Sequence, residues 1–227
     1  MPRIIYKSEN IIVALKPALM PSQPDTSGDT DLLSAVSSLL SHSGEPSEIY
    51  LVHRLDRVVG GLLVLARNKR SCAAFSALAA DGTLGKEYLA VVEGECDGSV
   101  MEDYLYKNSA LSKSFVISSA RPGAKRASLS YECLECVDTP RGKRSLVRIT
   151  LKTGRFHQIR AQFSSRSHPL VGDNKYGSTD RLVRVPSLFA YKICVSDGED
   201  VTLTALPDVD SYPWNLFSKE IYDKCLV

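Results

Sequence analysis

The apolar residues of this chain come in short runs closed by turn-forming residues, and that spacing limits the fold more than any other feature of the sequence. Residues 3–15, RIIYKSENIIVAL, are two such runs joined by Ser8-Glu9-Asn10, a hairpin signal. GLLVLARN at 61–68 is a continuous apolar run between glycine and asparagine, the pattern of a buried strand. KEYLAVVEG (86–94), LSYECLECV (129–137), SLVRITLKTG (145–154), LFAYKICV (188–195) and DVTLTAL (200–206) also read as strands. Helical spacing is confined to isolated segments: residues 32–41 behind an Asp31 cap, the alanine-rich 71–81 stopped by Gly82, residues 155–167, and a short stretch within 214–226. Strand pairs broken by single helices predict an α+β fold, a largely antiparallel mixed sheet with peripheral helices. No repeat or low-complexity linker divides the chain, so a single domain over 1–227 is expected.

Composition narrows the class without naming a function. With 44% hydrophobic and 24% charged residues, the chain has the make-up of an ordinary folded protein. A net charge of +2 is too small to mark a nucleic-acid binder, so any such affinity must come from clustering. Eight basic residues do fall between 141 and 166 with no acidic residue among them: Arg141, Lys143, Arg144, Arg148, Lys152, Arg155, Arg160 and Arg166. A solvated strand face explains them equally well. The opening MPRIIYKSEN has no long apolar core, and runs such as Leu62 to Ala66 are too short to span a bilayer, so a cytoplasmic, membrane-free protein with reduced thiols is expected. Cys133 and Cys136 form a C-x-x-C without a second pair, and strand alternation is expected to send them to opposite faces. No metal site is expected.

Four segments place polar side chains where packing does not require them. In His53-Arg54-Leu55-Asp56-Arg57 an aspartate stands between two arginines before Gly60-Gly61, so neighbouring positive charge keeps it ionised for attack; a turn aspartate is the plainer reading. Lys86-Glu87-Tyr88 opens a strand, where a tyrosine is ordinarily half-buried packing. In TGRFHQIR (153–160), helical spacing puts His157 and Arg160 on one face, with Phe156, Ile159 and Phe163 as the apolar stripe; a basic surface helix has the same pattern. HPLVGDNKYG (168–177) is a turn-rich loop whose glycines give it a structural role by default.

In this order, HRLDR with the glycines and strand after it, KEYLAVVEG, TGRFHQIR and HPLVGDNKYG resemble the motifs of RluA-type pseudouridine synthases. The opening IIYKSENIIVALKPALMPSQP is similar to that family's first hairpin and lysine-proline loop, so the resemblance runs from about residue 4 past residue 200. It implies the pseudouridine synthase catalytic fold and isomerisation of uridine in ribosomal or transfer RNA, without metal, nucleotide or redox cofactor. It implies Asp56 as nucleophile, Tyr88 as the tyrosine that packs on the target base and takes a proton, and Arg160 as the basic residue paired with the aspartate. Arg54 matches the residue that helps displace the target nucleotide, and Lys86, Arg155 and His157 join it as candidate RNA contacts. Chemistry on a base within RNA requires that base to be flipped out, which agrees with a stacking and gap-filling role. Departures are Val58-Val59 where the family carries a threonine or serine before the glycine, and the polar AQFSSRS before HPLVGD. A monomer without an N-terminal S4-type module is expected, selecting its RNA through the catalytic domain itself. The competing expectation is a non-catalytic RNA-binding protein of the same fold; a phosphate-handling or hydrolytic aspartate enzyme lacks its metal-ligand or nucleophile motifs.

Overall fold

The computed structural model describes residues 1–226, among which are eleven strands and four α-helices. Residue contacts divide the chain into two compact units, Met1–Lys86 with Phe189–Pro207, and Glu87–Leu188 with Asp208 onward. None of the helices among the described residues is long and apolar enough to cross a membrane.

In the first unit, β1 (Arg3–Lys7) and β2 (Ile11–Lys16) form the expected hairpin, and β2 pairs antiparallel with β4 (Gly60–Ala66). The two-residue β3 (Tyr50–Leu51) also pairs with β4, which runs parallel to β10 (Leu188–Ser196); β11 (Asp200–Thr204) folds back on β10. All of β4 is buried, as its unbroken apolar run predicts. Gly61 makes the parallel pairing possible. It sits at φ +125°, opposite Ala190, and a Cβ there would lie 2.3 Å from the Ala190 carbonyl oxygen. Ile11, Val13, Leu62, Val64, Phe75 and Ile193 form the core. Two helices flank the strands, each started by a side-chain cap. Asp31 accepts from the Ser34 N–H at 3.0 Å ahead of α1 (Leu32–His42), and Asn68 accepts from the Ser71 N–H at 2.8 Å ahead of α2 (Lys69–Asp81). Gly82, left-handed at φ +89°, ends α2 as expected.

The second unit holds β5 (Gly85–Glu93, from Glu87 on), β6 (Ser99–Asn108), β7 (Lys113–Ile117), β8 (Ala124–Val137) and β9 (Arg144–Leu151), antiparallel in the order β5-β9-β8-β6-β7. The β6–β7 hairpin is absent from the sequence reading. Its inward residues Met101 and Leu105 are separated by charged and tyrosine positions, which weakens the apolar signal. α3 (Gln158–Ser165) packs against β6 and β7, with Leu105, Ala127, Ala161 and Tyr176 as a small core. The last segment contains a single 3₁₀ turn at Trp214–Leu216 and α4 (Lys219–Cys225).

One expectation fails in β8. A β-bulge between Cys133 and Glu135 sets Cys133 opposite Val147 and Cys136 opposite Ser145, two residues apart on β9, so both cysteines face the same way. The extra residue cancels the alternation that was expected to separate them. No group of three or more metal-ligating side chains is found among the described residues.

Candidate functional site

In the first unit the candidate residues lie on the loop between β3 and β4. Asp56 is partly exposed, and its carbonyl accepts from the Val59 N–H at 2.9 Å, closing a turn just before Gly60. Ser22 pins the residue before it: its hydroxyl donates to the Leu55 carbonyl at 2.9 Å and accepts from the Leu55 N–H at 3.2 Å. A cation behind this loop is Lys16, buried at 1% exposure at the end of β2. Its ammonium donates to the carbonyls of Pro17 (3.0 Å), Met20 (2.7 Å) and Arg57 (3.2 Å). Burial lowers its pKa to about 8, the negative charge of Asp56 acts in the opposite direction, and Arg57 lowers it further. Lys16 is therefore still charged at neutral pH. The sequence placed the two flanking arginines beside the aspartate, but Arg57 turns away: it pairs with Asp25 and Asp29 and donates to Ser27 at 2.8 Å, all on the preceding Pro/Ser/Asp loop. Arg54 is exposed. His53 is structural. Its Nε2 accepts from the Val64 N–H at 3.2 Å, and burial, then nearby Lys86, lower its pKa to about 3, so the ring is neutral with its proton on Nδ1.

In the second unit, Tyr88 is buried at 6% exposure on β5, opposite Ile149. The segment HPLVGD runs along the same strand, with Val171 N–H donating to the Val91 carbonyl and Glu93 N–H to the Pro169 carbonyl, both at 2.9 Å. That course delivers Asp173 to Arg160. The guanidinium donates Nε–H to Asp173 Oδ2 at 2.6 Å and an Nη2 hydrogen to Oδ1 at 2.8 Å, with both residues buried. Asp173 is a partner the sequence reading did not find, because HPLVGDNKYG reads as a turn and nothing local ties it to Arg160.

The helix expected from Arg155 begins only at Gln158. His157 adopts the left-handed conformation at φ 52°, and the Gln158 side chain closes the turn before it, accepting from Thr153 Oγ1 (2.8 Å) and the Arg155 N–H (3.0 Å) while donating to the Ser128 carbonyl (3.1 Å). Ile159 and Phe163 are buried as the apolar stripe predicts, whereas Phe156 lies outside the helix and stacks on His157 with centroids 3.8 Å apart. Burial, with Arg160, Lys175 and Lys107 adding to it, lowers the His157 pKa to about 3. Its Nδ1 lies 3.0 Å from the Tyr176 hydroxyl.

The other candidate contacts divide. Arg155 is partly exposed and donates Nε–H to the Arg126 carbonyl at 2.9 Å. Lys86 is buried, and its ammonium donates to the Ala79 carbonyl at 3.0 Å, in the last turn of α2. The basic stretch 141–166 does not form one positive surface. Lys143 pairs with Glu95, Arg141 and Arg144 with Asp180, Arg148 with Glu132, Arg160 with Asp173 and Arg166 with Asp103. Its acids come from other parts of the same unit.

Residues 10–165 match the family model described as RNA pseudouridylate synthase. The chain belongs to that family, and is of RluA type. The matched span contains Asp56, Tyr88 and Arg160. This family member is 32% identical to ribosomal large subunit pseudouridine synthase D of Zymomonas mobilis over 78% of its own length and 56% of that protein's. It is 31% identical to tRNA pseudouridine synthase C of Haemophilus ducreyi over 77% of this chain and 73% of that protein. The chain thus spans little more than half the length of the Zymomonas relative. Human RNA pseudouridylate synthase domain containing 1 shares the fold, with a TM-score of 0.79 over 100% of this chain and 94% of that one at 21% identity. The α+β fold expected from the strand pattern is the fold of this family.

Proposed function

We propose that this chain isomerises uridine to pseudouridine in ribosomal or transfer RNA, with Asp56 as nucleophile and residues 1–227 acting as one catalytic domain. The observation that carries the reading is the family match over 10–165, a span that includes the three expected reaction-centre residues. In the reaction the N1–C1′ bond breaks, the uracil turns, C5 bonds to C1′ and the C5 proton leaves while N1 gains one; atoms balance without a cofactor. Asp56 sits on a loop fixed by Ser22 and backed by the Lys16 cation, which favours the ionised carboxylate a nucleophile needs. Tyr88, buried on a strand, is assigned to pack against the flipped base and accept the C5 proton. Arg160 is assigned as the cation of the reaction centre.

Arg54 and Arg155 are offered as RNA contacts, with guanidiniums on exposed or partly exposed residues. At Lys86 and His157, RNA has to compete with the hydrogen bonds to Ala79 and Tyr176. A cytoplasmic monomer is the accompanying proposal. The test is pseudouridine mapping of total RNA from cells with and without the gene. Sites lost on deletion, restored by wild type and not by Asp56→Asn, with Asp56→Asn still binding RNA, are the expected outcome. An unchanged map favours the non-catalytic RNA binder, and substantial turnover by Asp56→Asn removes Asp56 from its role.

A further inference from the structure

Arg160 is held more firmly than an arginine needs to be for packing alone. Its Nε and Nη2 edge is engaged by both oxygens of Asp173, at 2.6 and 2.8 Å, and its guanidinium carbon lies 4.9 Å from the centroid of the Tyr176 ring. A bidentate carboxylate fixes the plane of the guanidinium, and an aromatic face fixes the side from which it is approached. Arg160 and Asp173 are 5% and 1% exposed, so water does little to screen the pair.

Tyr176 is itself oriented from two directions. Its hydroxyl accepts the Ser114 N–H at 2.7 Å, on β7, the end strand of the unit's sheet order. The same hydroxyl lies within hydrogen-bond distance of His157 Nδ1, 3.0 Å away, on an imidazole that burial keeps neutral. Ser114 also donates its hydroxyl to the Phe156 carbonyl at 2.6 Å, tying the turn before α3 to the same strand. The left-handed His157, the Phe156 stack and the backbone of β7 thus converge on one ring, and that ring faces Arg160.

We propose that Asp173 and Tyr176 are positioning residues for Arg160, fixing its guanidinium before substrate arrives so that reaction does not have to order a flexible side chain. The inference rests on the reading of Arg160 as the reaction-centre cation. Both residues lie outside the matched span 10–165, in the loop that the sequence assigned to turn formation.

Single-turnover pseudouridine formation and RNA binding test it, with ribosomal and transfer RNA from gene-deleted cells as substrate. The proteins are wild type, Asp173→Asn and Tyr176→Phe, each also in an Arg160→Lys background. Asp173→Asn is expected to lower the rate at saturating RNA by about 10- to 100-fold, the factor that corresponds to a charge-assisted hydrogen bond, while Kd for RNA changes less than about twofold. In the Arg160→Lys background the same substitution is expected to cost no more than about twofold, because the group it positions is already gone. Tyr176→Phe keeps the ring and removes only the hydroxyl. It serves as the second variant should Asp173→Asn fail to fold, with an expected loss of about three- to tenfold that is likewise absent beside Arg160→Lys. Equal losses in both backgrounds, or losses in RNA affinity alone, overturn the proposal in favour of a purely structural or RNA-contact role. Wild type active and indifferent to both substitutions overturns this proposal alone, whereas wild type that forms no pseudouridine overturns the functional reading and this inference with it.

Discussion

His53, partly buried, and Lys16, fully buried, show how single polar groups hold the loop that bears Asp56. Val64 N–H lies on β4, and His53 Nε2 provides it with an acceptor at 3.2 Å. The native pKa of His53, about 3, lies below its unfolded value, so the stabilisation is complete above about pH 6.5 and is lost progressively as pH falls towards 3. His53→Gln keeps an acceptor but takes up no proton. Urea unfolding between pH 7 and pH 4 is expected to show a pH dependence steeper in wild type than in the variant by about one proton. Equal slopes would mean that His53 is protonated in the native state across that range. Lys16 answers the same need for carbonyls, with one ammonium satisfying three of them. The sequence marked His53, Arg54, Asp56 and Arg57 as a charged cluster, yet a cation that bears on Asp56 comes from some forty residues earlier, at Lys16. Arg57 is taken by Asp25 and Asp29 instead.

Among elements, β4 depends most on one position. At Gly61 an added Cβ would lie 2.3 Å from one backbone atom of Ala190 and 2.5 Å from another, and the φ of +125° is unfavourable for any other residue. Gly61→Ala is expected to destabilise the protein by at least about 3 kcal/mol, read as a fall in the urea midpoint or as loss of soluble protein. A shift under about 1 kcal/mol would show that the β4–β10 pairing gives way easily. The strands with strong apolar runs, and the two helices with side-chain caps, were legible because their signals lie within a few residues. The β6–β7 hairpin was not, since the buried Met101 and Leu105 of β6 are separated by Glu102, Asp103 and Tyr104. The start of α3 was missed for a related reason: nothing in TGRFHQIR announces that Gln158 folds back on Thr153 and Arg155, leaving His157 left-handed.

Across the whole molecule, the proposed reaction moves no electron to or from a cofactor and polarises no oxygen on a metal. EDTA is therefore expected to leave the rate of pseudouridine formation unchanged, and a lasting loss that zinc restores would overturn the cofactor-free reading. Six of the eight basic residues between 141 and 166 pair with acids, so linear clustering overstated the positive charge of that stretch. By itself the sequence determined the strand-rich α+β class, the capped helices, the buried central strand and the ordered motifs that mark the family, because each is written in periodicity or in neighbouring residues. Tertiary structure alone decided which charges meet: Lys16 behind the Asp56 loop, Asp173 on Arg160, and acids opposite the basic stretch. Those pairings join segments well apart in the chain, and only the order of strands in the sheets and the path of the loops beside them sets the distances on which such interactions depend.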